Sequence, residues 1–188
     1  MDNLNNALRE SLQNSPVVWK GDYAYFVNPL SDGVPRLNYE LMNLVVKSII
    51  NMVDWDEVDL ILGIEAMGLP ISTLLAYEMK KPMVVVRKRS YGLDGEICVN
   101  QSTGYSKGDL FINDLEPGER ILIVDDVLST GGTMNSIIDG VKKSKAIISK
   151  IIIIFEKGDG LKKLKEKTNE NMESLIRVDM DGENVVFL

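Results

Sequence analysis

Four short runs of uninterrupted apolar residues constrain this chain more than any other feature in it. They are DLILGIE from Asp59, MVVVRK from Met83, RILIVDD from Arg120 and IISKIIIIFE from Ile147. A strand with one wet face alternates apolar and polar residues. A strand without alternation is buried on both faces, and crossover helices are what bury it. Stretches of helical character lie between the runs, near Leu69 to Lys80 and Thr133 to Lys143. The expected core is therefore α/β, a mainly parallel sheet flanked by helices.

The rest of the chain attaches to that core. Leu4 to Leu12 and Leu41 to Met52 carry apolar residues at helical spacing, the second opened by Asn38 as an N-cap. Between them, WKGDYAYFVNPLSDGVPRL mixes aromatics with Gly, Pro and Asp, a pattern of short strands and turns that could form a small cap. The tail alternates around Asp181-Gly182, as a terminal hairpin does. The excursion from Arg89 to Asn113 holds Gly92, Gly95, Gly104 and Gly108 and few large aliphatics. Its first part reads as a mobile binding loop, at about 89–107, and the rest as a strand pair. With 188 residues and no internal linker, one domain is expected over 1–188, with the cap at about 15–38.

Composition narrows the chemistry. There is no histidine, so histidine triads, imidazole zinc sites and histidine bases are excluded, and acid, base and metal chemistry must come from Asp, Glu, Lys or Tyr. The single cysteine, Cys98, has no internal disulfide partner. The N-terminus lacks a basic patch followed by an apolar run, and no run reaches about 18 apolar residues. A cytoplasmic protein outside the membrane is expected. A net charge of -7 argues against nucleic acid as a main partner.

The strongest local signal is ILIVDDVLSTGGTM, Ile121 to Met134. A buried strand ends in Asp125-Asp126, a loop rich in hydroxyls and glycine follows, and a helix starts near Thr133. Ligands of open α/β sheets bind at the carboxyl ends of strands, where these residues fall. Gly131 and Gly132 let backbone amides approach a ligand closely, while Ser129, Thr130 and Thr133 add hydroxyl donors at a helix N-terminus. That set suits a phosphate monoester. The paired carboxylates can accept hydrogen bonds from ribose hydroxyls and attract a divalent cation. Two further strand ends converge there: Glu65-Ala66-Met67-Gly68, whose amides can hold another phosphate, and Arg87-Lys88-Arg89, which can neutralise a diphosphate.

ILIVDDVLSTGGT resembles the phosphoribosyl-diphosphate signature of type I phosphoribosyltransferases, and the resemblance covers nearly the whole chain. It implies a parallel sheet with an N-terminal hood. It assigns Ser129 to Thr133 to the 5-phosphate loop, Asp125 and Asp126 to the ribose hydroxyls, and Glu65 to Gly68 to the diphosphate loop, which in this family often contains a strained peptide bond. VVVRKRSYGLDGE, Val84 to Glu96, is similar to the RKxGxLPGE stretch of adenine-specific members, with Asp94 where that pattern has proline. By that likeness Arg87 and Lys88 meet diphosphate, and Glu96 acts near the base or ribose when the loop closes. IIIIFEKGDG resembles the IEK segment of members acting on 6-oxopurines, which gives Lys157 the 6-oxo group and Phe155 a place against the base. WKGDYAYFVNPLSDG resembles the hood of xanthine and archaeal hypoxanthine/guanine members, and makes Asn28 a contact to the base edge.

The resemblance, nearest to the archaeal hypoxanthine/guanine type, implies purine salvage: transfer of a phosphoribosyl group from phosphoribosyl diphosphate to hypoxanthine or guanine. Magnesium would bind mainly through the substrate diphosphate, and the protein would be a homodimer. Transfer to adenine, xanthine or a pyrimidine remains open, as does a non-catalytic regulator that senses the same donor.

Overall fold

The computed structural model describes residues 2–21, 23–102 and 107–188. Helix α1 (Asp2–Gln13) leads into the hairpin β1 (Val17–Lys20) and β2 (Tyr23–Phe26) and the short α2 (Pro29–Asp32). After α3 (Tyr39–Met52) come β3 (Leu60–Ile64), α4 (Gly68–Met79) and β4 (Met83–Val86). A second hairpin, β5 (Ile97–Ser102) and β6 (Lys107–Ile112), precedes β7 (Arg120–Leu128), α5 (Gly132–Ser144) and β8 (Ile147–Lys157). The chain closes with α6 (Gly160–Thr168), β9 (Met172–Asp181) and β10 (Asn184–Phe187).

The main sheet has the order β10-β9-β8-β7-β3-β4, parallel except for β10, which pairs antiparallel with β9. Leu60–Ile64, Ile121–Val124 and Ile151–Phe155 are buried on both faces, whereas β4, at the sheet edge, is fully buried only at Val86 and its other residues are half-buried. Leu122, Val124, Ile152 and Ile154 pack toward α1, α3 and α4, while Ile121, Ile123, Ile151 and Ile153 pack toward α5 and α6. Asn38 caps α3, its side chain accepting from the Leu41 N–H at 3.0 Å, and Asp181 pairs with Asn184 in the terminal hairpin. The second half of the Arg89–Asn113 excursion forms the antiparallel β5–β6 pair. Gly104 lies outside the described residues.

One expectation needs correction. The strand does not end at Asp125-Asp126 but runs on to Leu128, because β7 keeps a partner in β8 up to Leu128↔Glu156 after its pairing with β3 has stopped at Gly63↔Val124.

The opposite edge of this junction is tied by a fork. Arg120 donates from Nε and Nη2 to the two oxygens of Asp59 at 2.8 and 2.7 Å, and from its backbone N–H at 3.0 Å. These bonds hold the Asp59 carboxyl well below its usual range. A depressed folded-state value adds stability above the unfolded value near 4 and loses it as pH falls below that. The melting-temperature gap between wild type and Arg120→Ala is therefore expected to be widest at neutral pH and to narrow steadily as pH is lowered from 4. A gap independent of pH would remove the ion pair as its cause.

Candidate active site

The chain moves outward from β3 to β4 and then returns to β7 on the other side of β3, so α4 and α5 cover opposite faces of the sheet. Such a reversal opens a crevice at the carboxyl ends of the two strands, the usual ligand site of an open α/β sheet. Here β7 outruns β3, so Asp125 and Asp126 have a strand neighbour on one side and the crevice on the other.

Two cavities meet along this edge. One of about 420 Å³ is lined by Tyr25, Phe26, Asp32, the stretch from Asp125 to Met134, and Lys157. The second, of about 390 Å³, is lined by Glu65, Lys88, Asp109, Asp125, Asp126 and Thr133 among others. The acidic pair, Val127 and Thr133 form the wall they share.

The hydroxyl-rich loop turns through Gly131, whose φ of 78° is the left-handed conformation that glycine adopts without a Cβ clash. Helix α5 then begins with no side-chain cap. Its first N–H groups and the positive end of its dipole are thus presented to an anion.

The carboxylates beside the loop are held in a charge state that invites a ligand. Burial, and then the charge of Asp126, push Asp125 well above the usual carboxylate range. Burial pushes Asp126 up to about 6. Hydrogen-bond donors or a cation arriving at these oxygens would offset that cost. Among the described residues no three acidic or thiol groups gather into a metal cage. A cation beside the pair would need oxygens from a bound substrate to complete its coordination.

The Glu65–Gly68 turn folds against this floor. A methyl group added at Gly68 would stand 2.9 Å from the Val124 carbonyl oxygen and 3.2 Å from Asp125 Oδ1, so only glycine fits. The Glu65–Ala66 peptide is cis. Glu65 accepts from the Lys88 N–H at 3.2 Å. Arg87 Nε lies 3.3 Å from Glu65 Oε2 but off the hydrogen-bond axis, so the contact is ionic and that buried N–H has no hydrogen-bond acceptor among the described residues. Of this group, Glu65 and Lys88 line the second cavity, and Ala66, Met67, Gly68 and Arg87 do not.

The hood supplies the remaining wall. The Tyr25 hydroxyl donates to Asp32 at 2.8 Å, and that bond raises the phenol to about 12. Lys157 Nζ donates to the Ala24 carbonyl at 3.3 Å, tying β8 to the hood at the cavity edge.

Two sequence assignments, Phe155 and Asn28, are corrected here, while that of Glu96 belongs to a closed loop and stays a proposal. Phe155 is fully buried and meets Phe26 edge-on at 5.8 Å; Phe26 stands in front of it and lines the cavity. Asn28 is also fully buried. Its carbonyl caps α2 at the Leu30 N–H, and its amide donates to Ser11 and Ser15, so its hydrogen-bonding capacity is committed to the fold. Glu96 lines neither cavity. It accepts from Ser90, the Tyr91 N–H and Asn113, and so buckles its own loop. Tyr25, Phe26, Asp32 and Asp109 were not singled out from sequence. They reach the crevice from β2, α2 and β6, and nothing local marks them.

Residues 37–187 match the model of the phosphoribosyl transferase domain family. The hood strands precede the matched stretch. A hypoxanthine/guanine phosphoribosyltransferase of Methanotorris igneus is 48% identical over 181 residues, 96% of this chain and 99% of the relative. One of Aciduliprofundum boonei is 46% identical over 176 residues, 93% and 95% of the two chains. Among solved structures, the adenine phosphoribosyltransferase of Saccharomyces cerevisiae superposes with a TM-score of 0.78 at 20% identity, over 94% of this chain and all of that one. At that identity the likeness speaks for the fold. The doubly covered parallel sheet, the crevice at its reversal and the match across 37–187 together place this chain in the phosphoribosyl transferase domain family.

Proposed function

We propose that the chain is a purine-salvage enzyme that transfers the phosphoribosyl group of phosphoribosyl diphosphate to hypoxanthine or guanine, giving IMP or GMP and diphosphate. The observation that carries this reading is the lining of the larger cavity. An uncapped helix N-terminus and the Ser129–Thr133 loop stand for the 5-phosphate, paired acids for the ribose, and Lys157 with Phe26 for the base. The names of the archaeal relatives support the same base class.

The chemistry is a displacement at C1 of the ribose. A purine ring nitrogen forms the new bond, the C1–O bond to diphosphate breaks with its electron pair leaving on oxygen, and the ring N–H proton is released. Positive charge builds on the sugar ring, so positioning and electrostatics do most of the work. Asp125 and Asp126 accept hydrogen bonds from the ribose hydroxyls. Lys88, with Arg87 behind it, meets the leaving diphosphate beside Glu65. Magnesium would be held mainly through that diphosphate, beside Asp125 and Asp126, and would supply charge neutralisation there. The segment from Arg89 to Glu96, ahead of β5, closes over the reacting atoms and excludes water. Lys157 donates to a 6-oxo group, and an ammonium cannot accept from the 6-amine of adenine.

The whole chain, 1–188, acts as one catalytic unit in this reading, and as a homodimer in the cytoplasm. Support for association comes from Leu74 and Tyr77, large apolar residues of α4 that are 38% and 80% exposed. No helix among the described residues is long and apolar enough to cross a membrane.

Product affinity tests the reading. Calorimetric titration should show IMP and GMP binding at least ~10-fold more tightly than AMP, the cost of leaving a base-reading group unpaired. Tighter binding of AMP would move the assignment to adenine.

A further inference from the structure

The 5-phosphate loop does not hold its own shape. A methyl group added at Gly160 would stand 1.6 Å from the Ser129 carbonyl oxygen, 2.7 Å from its carbonyl carbon and 3.1 Å from Leu128 Cδ2. The two backbones are therefore in direct contact, and no side chain fits between them. Two residues on, the Cα of Gly131 faces the next turn of the same helix: a methyl there would meet Leu164 Cβ and Cδ2 at 3.5 Å and the Gly160 carbonyl oxygen at 3.6 Å. Gly160 and Leu164 are both buried. The loop thus lies between its own helix α5 in front and the first turns of α6 behind.

We propose that Gly160 and Leu164 are positioning residues for the donor's phosphate, the back wall against which the Ser129–Thr133 loop is set before any ligand arrives. This rests on the reading of that loop as the phosphate site. The connection is short. Gly160 follows Lys157 by three residues, and Leu128↔Glu156 is the last rung of the β7–β8 ladder. The base-reading lysine and the phosphate-reading loop are therefore joined through one turn, which fixes the span between the two ends of the nucleotide. A loop held in advance gives up little conformational freedom on binding, and a displacement of about 1 Å at such a site costs on the order of 100-fold.

Binding of ribose 5-phosphate and of inorganic diphosphate by the full chain, measured by calorimetry, tests this without depending on turnover. Gly160→Ala should weaken ribose 5-phosphate by about 30-fold or more and leave diphosphate within about threefold, because the diphosphate wall at Glu65 and Lys88 does not touch α6. Leu164→Ala opens space instead of creating a clash and keeps the test available should Gly160→Ala not fold. It should weaken ribose 5-phosphate by about 3- to 10-fold, and Leu164→Met should restore it to within about twofold. In turnover, KM for phosphoribosyl diphosphate should rise more than KM for the base. Equal loss of both ligands, or no loss of either, would overturn the positioning role. Wild-type protein that binds no ribose 5-phosphate would overturn the phosphate-site reading and this proposal with it.

Discussion

Asp126→Asn is expected to make the ligand-free protein more stable at pH 8 while removing most of its activity. Burial raises the Asp126 carboxyl from about 3.8 to about 6, so between those values the folded chain keeps a proton that the unfolded chain has released. Stability therefore falls as pH rises through that window, and the full penalty is present above about pH 6. Asparagine occupies the same space and carries no such penalty. The gain should be about 1–3 kcal/mol at pH 8 and fade toward pH 4, a shift of several degrees in melting temperature for a chain of this length. In the proposed reaction the same change would remove an acceptor for the ribose and part of the pull on a cation, and should lower kcat/KM by about 100-fold or more. Thermal unfolding at pH 4, 6 and 8 beside initial rates checks both signs. A variant that is less stable at pH 8 would show that the carboxylate is held by favourable contacts and not exposed to a burial cost.

Lys157→Met should cost about 100- to 1000-fold in kcat/KM with hypoxanthine and guanine, since the base's oxygen is left desolvated without a donor. Methionine keeps the aliphatic stem, so the cavity wall is little changed. KM for phosphoribosyl diphosphate should stay within about threefold, because the phosphate and ribose contacts lie elsewhere in the cavity. The bond to the Ala24 carbonyl is also lost, so a modest drop in melting temperature is expected. Equal loss with adenine as with 6-oxopurines would show that Lys157 supports the hood and does not read the base.

The sequence carried the sheet because each buried strand announces itself over a few contiguous residues. Leu60–Ile64 and Ile151–Phe155 have no polar residue facing water, and only a sheet covered on both sides can hold them. The hydroxyl- and glycine-rich turn between β7 and α5 was legible for a similar reason. Strand, acids, glycines and helix start lie within fourteen residues, and local chemistry fixes their order in space.

The hood is different. Tyr25 and Asp32 reach the cavity because β1–β2 folds across the chain onto β8, and no local pattern reports a contact spanning more than 130 residues. Which of two aromatics faces the cavity depends on their packing, and Phe26 stands in front of Phe155. Asn28 has the chemistry to read a base edge, yet three hydrogen bonds, to Ser11, Ser15 and Leu30, use that chemistry first. Glycine in GDG looks like an ordinary turn until Ser129 is found against it. The extent of β7 past its acidic pair depended on β8 being longer than β3, a property of the partners and not of the strand itself.

The most direct test of the account is release of diphosphate from phosphoribosyl diphosphate and magnesium, with adenine, hypoxanthine, guanine, xanthine, orotate and uracil offered separately. Turnover with hypoxanthine and guanine, at least ~100-fold above that with adenine, is the predicted result. Turnover with adenine alone, or binding of the donor without turnover on any base, would contradict it.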